Sequence, residues 1–278
     1  MSLLVPLYVH PAEDPGAWHR LIRSAARTYA VVLNPASGPG AGPDPAFTAV
    51  AEALRAAGAR LLGYVDTDYG TRDAAEVADE VRRHREWYAA DGCRKVICYV
   101  NVGAWEDFRP DKDAFPRSVL GATNGWDGER WLDIRRLSVL RPIMERRFDM
   151  CRDKGFDAVE PDLLEAYSNR TGFPLTARDQ LRYNRMIAEV AHERGLSVGL
   201  KNDLPQIPQL VGDFDFAVNE ECAQYRECER LTPFVKAGKA VFHVEYAVPA
   251  DGFCPLSRRL GLSSMRKKLE LGVWREPC

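Results

Sequence analysis

The chain has 278 residues, 46% of them hydrophobic and 28% charged, with a formal net charge of −2. That balance offers no basic face for nucleic acid, and no apolar run approaches the roughly 20 residues a membrane-spanning helix needs. The length suits one large α/β domain, since a (β/α)8 barrel uses about 250 residues.

In chain order, residues 5–10 (VPLYVH) read as a strand and residues 17–28 as a helix. The opening Met1-Ser2-Leu3-Leu4-Val5 has no basic stretch and meets Pro6 at once, so it does not read as a signal peptide. Residues 30–34 (AVVLN) form a second strand candidate, running into a Gly/Pro loop at 35–43. That loop is not a phosphate cradle, because it lacks a Gly-Lys-Ser/Thr end and its prolines remove donors. A helix over 47–57 stops at Gly58, and 60–65 (RLLGYV) is a strand tipped by Asp66-Thr67-Asp68. Residues 73–88 carry apolar positions at helical spacing.

Residues 95–102 (KVICYVNV) give the next strand, and 131–134 (WLDI) a short, polar-flanked candidate. A helix over 139–154 ends at Gly155, a usual helix stop. Then comes GFDAVEPD, residues 155–162, a strand with an apolar middle and an acidic tip. A helix over 176–194 follows. Strands over 196–200, 214–218 and 240–244 end in Lys201-Asn202-Asp203, Asn219-Glu220-Glu221 and Glu245-Tyr246. A helix over 263–271 closes the order. Alternating strands and helices with short connections predict a parallel sheet. No Gly-x-Gly-x-x-Gly follows a strand, which weakens a dinucleotide fold. The expected fold is therefore a single (β/α)8 TIM barrel. Nine strand candidates are one too many for it, so 131–134 or the first strand lies outside the ring.

The seven cysteines are Cys93, Cys98, Cys151, Cys222, Cys228, Cys254 and Cys278. Cys98, inside an apolar strand, reads as a small buried hydrophobe. Cys222 with Cys228 and Cys254 with Cys278 flank irregular segments and are the expected bridges, which would suit an oxidising compartment. Reduced thiols in a cytosolic protein are the alternative. Neither Cys-x-x-Cys nor His-x-x-x-His occurs, so no zinc site, and no cofactor of any kind, is expected.

The strand ends carry the chemistry. In parallel α/β folds ligands sit at the C-terminal ends of strands, and Asp66, Asp162, Asp203, Glu220 and Glu245 all fall there. A single strand-end Asp is more often a helix cap or loop hydrogen-bonder. Five acids on one rim repel one another, and stability alone does not call for them. Asp162 and Glu220 end strands with one strand between them, and glycoside hydrolysis needs two carboxyl groups across a scissile bond. Asp157 reads as structural. Glu160 either points away from Asp162 or supports it. Asp107 and Arg109 are read as an ion pair near the mouth. Tyr99, Trp105 and Tyr246 are candidates for stacking on sugar rings, or for ordinary packing.

KVICYVNVGAWEDFRPD, ERWLDIRR, GFDAVEPD, YSNRTGFPLT, GLSVGLKND, FAVNEECAQYRECE and KAVFHVEY, over residues 93–278, resemble glycoside hydrolase family 114, the endo-α-1,4-polygalactosaminidases. VPLYVHP, AVVLNPASGPG, LLGYVDTDYG and EWYAADG, within residues 1–92, resemble the spherulin 4 proteins, a second glycosidase group acting on galactosaminogalactan. The chain thus looks like a hybrid barrel joined near residues 91–93. The resemblance implies a (β/α)8 fold, a polysaccharide partner, a secreted setting and Asp162 and Glu220 as the catalytic pair. Tyr99, Asp66, Lys201, Asn202, Asp203, Glu245 and Tyr246 are then expected to bind substrate or tune the pair. One departure stands out: the family's Asn after the Asp is Leu163 here. It leaves a second expectation, a carbohydrate-binding barrel impaired in turnover. A metal-dependent deacetylase fits less well, because of the five histidines only His10 falls at a strand end.

Overall fold

The computed structural model describes residues 97–269 and 274–278 and, in the earlier part, 4–7, 15–23, 30–33, 45–57, 60–63, 79 and 82. The helix expected over 73–88 (apart from Asp79 and Arg82), the join near 91–93, and the sites at His10 and Asp66 lie outside the described residues. Strands β1 (Leu4–Leu7), β2 (Ala30–Leu33) and β3 (Arg60–Gly63) pair in parallel, with helices Pro15–Arg23 and Pro45–Ala56 between them in the chain. The larger sheet holds β4 (Ile97–Asn101), β8 (Ala158–Asp162), β9 (Ser197–Lys201), β10 (Phe216–Glu220), β11 (Val241–Glu245) and β12 (Ser263–Lys267), all parallel, with β13 (Arg275–Pro277) antiparallel at its edge. This is the parallel, helix-covered architecture of the (β/α) barrels.

Two expected elements change character. The strand expected at 131–134 is β7 (Glu129–Leu132), which pairs antiparallel with β5 (Ala104–Glu106) and β6 (Leu120–Thr123) in a separate sheet inserted after β4. The helix expected over 263–271 is instead strand β12, and the last long helix is Ala250–Leu260. The Met, Lys and Leu of 263–271 favour a helix locally. Docking between β11 and β13 overrides that propensity, as sheet context often does. The described residues therefore hold nine parallel strands after all, with β12 in place of the short candidate.

The helices face the sheet through periodic apolar stripes. Thr176 caps Ala177–His192 in a capping box with Asp179. Its buried face carries Tyr183, Ile187, Val190 and Ala191, together with the polar Gln180 and Asn184. Helix Leu137–Asp153 ends at Gly155, whose φ of 82° supplies the left-handed turn expected of a C-terminal glycine. Its Arg147 is buried and binds the Asn101 carbonyl at 2.6 Å and both Asp111 oxygens at 2.7 and 2.9 Å, fixing the tip of β4. Gly199 faces inward: a Cβ there would strike the Phe216 ring.

Among the described residues three disulfides cross-link the chain: Cys98–Cys151, Cys222–Cys228 and Cys254–Cys278. The last two match the expected bridges. Cys98, expected as a lone buried thiol, instead ties β4 to helix Leu137–Asp153. Both sulfurs sit on apolar faces, where a half-cystine reads like any core residue.

Candidate active site

Register places the site. β8 and β9 pair Ala158 with Ser197 and Val159 with Val198, and the same offset carries Asp162 level with Lys201. β4 and β8 pair Asn101 with Asp162 and Tyr99 with Glu160. On a strand, alternate residues share a face, so Glu160 stands beneath Asp162 on the same side. Sequence reasoning left this orientation open.

Lys201 is the centre. Its ammonium nitrogen lies 3.1 Å from Asp162 Oδ1, 3.4 Å from Glu220 Oε2 and 3.7 Å from Glu160 Oε1, and the side chain is 7% exposed. Burial alone would lower its pKa, but the three carboxylates outweigh that and hold it well above the usual lysine range. The other oxygen of each rim carboxylate takes a phenol. Tyr99 donates to Asp162 Oδ2 at 2.8 Å, and Tyr246 donates to Glu220 Oε1. Burial, then the adjacent carboxylate, pushes both phenols far up, so each stays a neutral donor. Glu160 is raised by burial against the pull of Lys201.

Behind the rim, Asn202 Oδ1 accepts from the Glu220 backbone N–H at 3.0 Å and from Asn219 Nδ2 at 3.1 Å, so the turn after β9 positions the end of β10. Glu245 is fully buried. Its Oε1 meets His243 Nε2 at 2.8 Å and accepts from the Ala223 backbone at 2.6 Å, while His243 Nδ1 meets Ser264 Oγ at 2.8 Å. Glu245 therefore braces the loop after Glu220 rather than facing the cleft. Asp203, also enclosed, accepts from Asn184 Nδ2 at 3.0 Å. Both acids are enclosed, which fits the tuning and support half of what was expected of them.

Other expectations also shift. Arg109 pairs with buried Glu106 rather than Asp107, because β5 aims Glu106 inward. Asp107 instead lies against Gly128, where a Cβ would meet its carboxylate. Trp105 Nε1 donates to the Lys112 carbonyl at 3.0 Å, a packing and turn contact. Two further acids belong to the neighbourhood. Glu129, on the inserted sheet, accepts from Asn124 at 2.7 Å and is raised by burial and by Glu106 and Asp162. Glu165, just after β8, is pushed up to about 8 by burial and by Asp162 and Glu220 against the pull of Lys201. Neither lies at the end of a parallel strand, which is why a search of strand ends passes over both. Cys222, Cys228 and His243 approach within 4.8 Å of one another, but the sulfurs are bonded to each other and both ring nitrogens are engaged, so they do not form a metal set.

The backbone at the rim is strained. Leu163, Asn202, Asp203 and Glu221 have φ of 63°, 50°, 45° and 64°, and each directly follows a strand-end residue or its neighbour. Asn and Asp tolerate this left-handed region, while Leu and Glu do not do so readily. Leu163 thus occupies a conformation that suits the Asn of the family pattern. Its backbone also packs on Gly103, where a Cβ would collide with the Leu163 carbonyl.

The family model described as glycoside-hydrolase family GH114 matches residues 64–278, and that of spherulation-specific family 4 matches residues 2–107. The two overlap from 64 to 107, across the expected join. Spherulin-4 of Physarum polycephalum is 38% identical over 116 residues, a match spanning 37% of this chain and 34% of that protein. The chain thus covers about a third of that relative's length. Among solved structures, Aspergillus fumigatus Ega3 in complex with galactosamine aligns over 100% of this chain and 94% of its own, at 31% identity and a TM-score of 0.69. The glycoside hydrolase domain of Pseudomonas aeruginosa PelA aligns over 97% and 95%, at 14% identity and a TM-score of 0.50, a likeness of fold.

Proposed function

Because the chain belongs to glycoside hydrolase family GH114, whose model covers most of it, we propose that it is an endo-acting hydrolase of α-1,4-linked, galactosamine-containing polysaccharide, with Asp162 and Glu220 as its catalytic pair. The observation that carries this reading is the pair itself: two strand-end carboxylates on one buried ammonium, each with a tyrosine on its other oxygen. Oxygens 3.1 and 3.4 Å from a single nitrogen are at most about 6.5 Å apart. Retaining enzymes hold their carboxyl groups about 5–5.5 Å apart, and inverting ones leave about 6.5–9.5 Å for a water. The geometry favours retention.

Asp162, the more enclosed of the two with its side chain 20% exposed, is held in the manner of a nucleophile that attacks the anomeric carbon. Glu220, at 32%, is the more open to solvent and is placed to protonate the leaving oxygen, then to deprotonate the attacking water. Lys201 sets both orientations and balances their charge. Tyr99 and Tyr246 line the cleft and bind substrate beside them. The galactosamine bound to Ega3 supports an amino sugar as the substrate unit. An acid-lined cleft also attracts a cationic, deacetylated polymer. Three disulfides suit a secreted enzyme working on polysaccharide outside the cell.

The test is hydrolysis of deacetylated α-1,4-galactosaminan, followed by chain length and by the anomer first formed in NMR. Short oligosaccharides with retained configuration are expected. Asp162→Asn and Glu220→Gln should each lower the rate by at least about 10²–10⁴-fold with little change in melting temperature. A protein that binds the polymer without shortening it would be the impaired barrel instead, and full turnover in both variants would remove the pair from the mechanism.

A further inference from the structure

The two flanks of Asp162 differ in charge, because β8 lies between β9 and β4 in the sheet. On the β9 side is the Lys201 ammonium, 3.1 Å from Asp162 Oδ1. On the β4 side is Asn101, level with Asp162 in the register. Paired strands run about 4.8 Å apart, and Tyr99 and Asn101 share one face of β4. That face is the cleft face, since the Tyr99 hydroxyl donates to Asp162 Oδ2 at 2.8 Å.

Glu129 of the inserted sheet sits on Asn101. Asn101 Oδ1 accepts from the Ala104 backbone N–H at 2.9 Å, which leaves its Nδ2 to face Glu129 Oε2 at 3.5 Å. Asn124 Nδ2 donates to the same oxygen at 2.7 Å. The hairpin that carries Glu129 is itself fastened. Asn124 Oδ1 accepts from the Trp126 N–H at 3.1 Å, and the Gly128 carbonyl accepts from the Asp107 N–H at 3.0 Å. Among the described residues, Glu129 Oε1 takes no hydrogen bond and the carboxylate makes no ion pair. Its cross-strand partner Glu106 is the contrast, for that buried acid holds Arg109 at 3.1 Å. Glu129 is half-buried and no catalytic step described above uses it.

We propose that Glu129 reads the amino group of the sugar that Asp162 engages: its open oxygen accepts the 2-ammonium of a galactosamine unit, and an N-acetylated unit is disfavoured there. The covalent structure of the sugar fits this place. The 2-amino group is borne by the carbon next to the anomeric carbon, so it lies close to whichever group meets that anomeric carbon. Of the two flanks of Asp162, Lys201 repels an ammonium and Glu129 attracts it. The pairing displaces no resident cation. It also offsets an existing repulsion. Burial, then Glu106 and Asp162, raise Glu129 against its bond from Asn124 and the pull of Arg109. An acetamido group is larger and uncharged, and it cannot supply the charge-assisted hydrogen bond. Selection for deacetylated sugar is thereby assigned to one residue rather than to the acidity of the cleft as a whole.

Placing the sugar on Asp162 rests on the function proposed above, so the test has one arm that needs turnover and one that does not. In that reaction the bond from the anomeric carbon to the leaving oxygen breaks, and water later releases the sugar from Asp162 as the new reducing end. The full chain is given partly N-acetylated galactosaminan, and the new reducing ends are identified by mass spectrometry. The parent should leave galactosamine at essentially all of them, and Glu129→Gln should leave both sugars. On fully deacetylated polymer, Glu129→Gln should lower kcat/KM by about 10–100-fold, the worth of a hydrogen bond to a charged group. In the second arm, galactosamine and N-acetylgalactosamine are titrated separately into each protein and followed by NMR. The parent should prefer galactosamine, and Glu129→Gln should lose most of that preference. The reducing-end and preference readouts are ratios within one protein, so a smaller folded fraction does not move them. Unchanged reducing ends, or an unchanged preference, in Glu129→Gln overturns the assignment. A parent that shortens no polymer refutes the proposed function, while the monosaccharide titrations still decide what Glu129 binds.

Discussion

The Asp162 and Glu220 sides of the cleft make the same first contacts and differ in what stands behind them. Each carboxylate holds Lys201 with one oxygen and a tyrosine hydroxyl with the other. Behind Asp162 are a strained leucine, the Gln180–Asn184 hydrogen bonds that reach the Leu164 carbonyl and Asp203, and β4 anchored by Arg147 and the Cys98–Cys151 bridge. Behind Glu220 are the Asn202 side chain, the short Cys222–Cys228 loop and the relay from Ser264 through His243 and Glu245 to the Ala223 backbone. The Asp162 side is braced by a helix and long-range links, and the Glu220 side by neighbouring strands and local loops. The chemistry needs two carboxylates of matched position and unlike protonation, and unlike supports under like contacts can supply that.

The strongest way to break the comparison is to remove what the two sides share. Lys201→Met should lower turnover by about 10²–10³-fold, the usual cost of losing a preorganised electrostatic partner. It should also make stability fall more steeply with rising pH. Without the ammonium, which pulls Glu160 down against its burial, Glu160 rises further and the folded state keeps a proton that the unfolded chain releases. Steady-state rates and melting curves from pH 5 upward would show it, and an unchanged pH slope would deny Lys201 its central place. Cutting only the Glu220 support is milder. Glu245→Ala strands the Ala223 N–H and the His243 ring, which should cost about 1–3 kcal/mol. That is a fall in melting temperature of about 2–4 °C for each kcal/mol. Turnover should fall far less than in the catalytic variants, and a loss equal to that of Glu220→Gln would move Glu245 into the reaction. The smallest effect sharpens the Asp162 side. Leu163→Asn relieves a left-handed residue and should stabilise by up to about 1 kcal/mol, visible as a rise in melting temperature. A fall would mean that Leu163 contributes more through its packing on Gly103 than it costs in strain.

Much of this site was legible in the sequence because strand ends are. Asp162, Lys201, Glu220 and Tyr246 each close an apolar run, and parallel topology sends such ends to one rim. Glu160 needed only the two-residue period of a strand, applied to its distance from Asp162. Glu165 and Glu129 carried no such signal. The first reaches the site through a non-glycine left-handed turn, and the second through a three-stranded insertion that reads locally as a failed barrel strand. Cys98 with Cys151, and the helix-like SSMRK of β12, show the same limit. Their local patterns fit a simpler assignment, and only long-range pairing overrules it.

The enclosure of Lys201 divides the electrostatics of the molecule into two ranges. An ammonium 7% exposed, ringed by three carboxylates, is shielded from dissolved ions by the protein around it. The outward field of the acidic rim crosses water and fades within a Debye length of about 8 Å at physiological ionic strength. Ionic strength therefore governs how readily a charged polymer arrives and barely touches how the reacting carboxyls are aligned. For the secreted hydrolase proposed above, that separation leaves capture responsive to brackish or dilute surroundings and the chemical step constant across them.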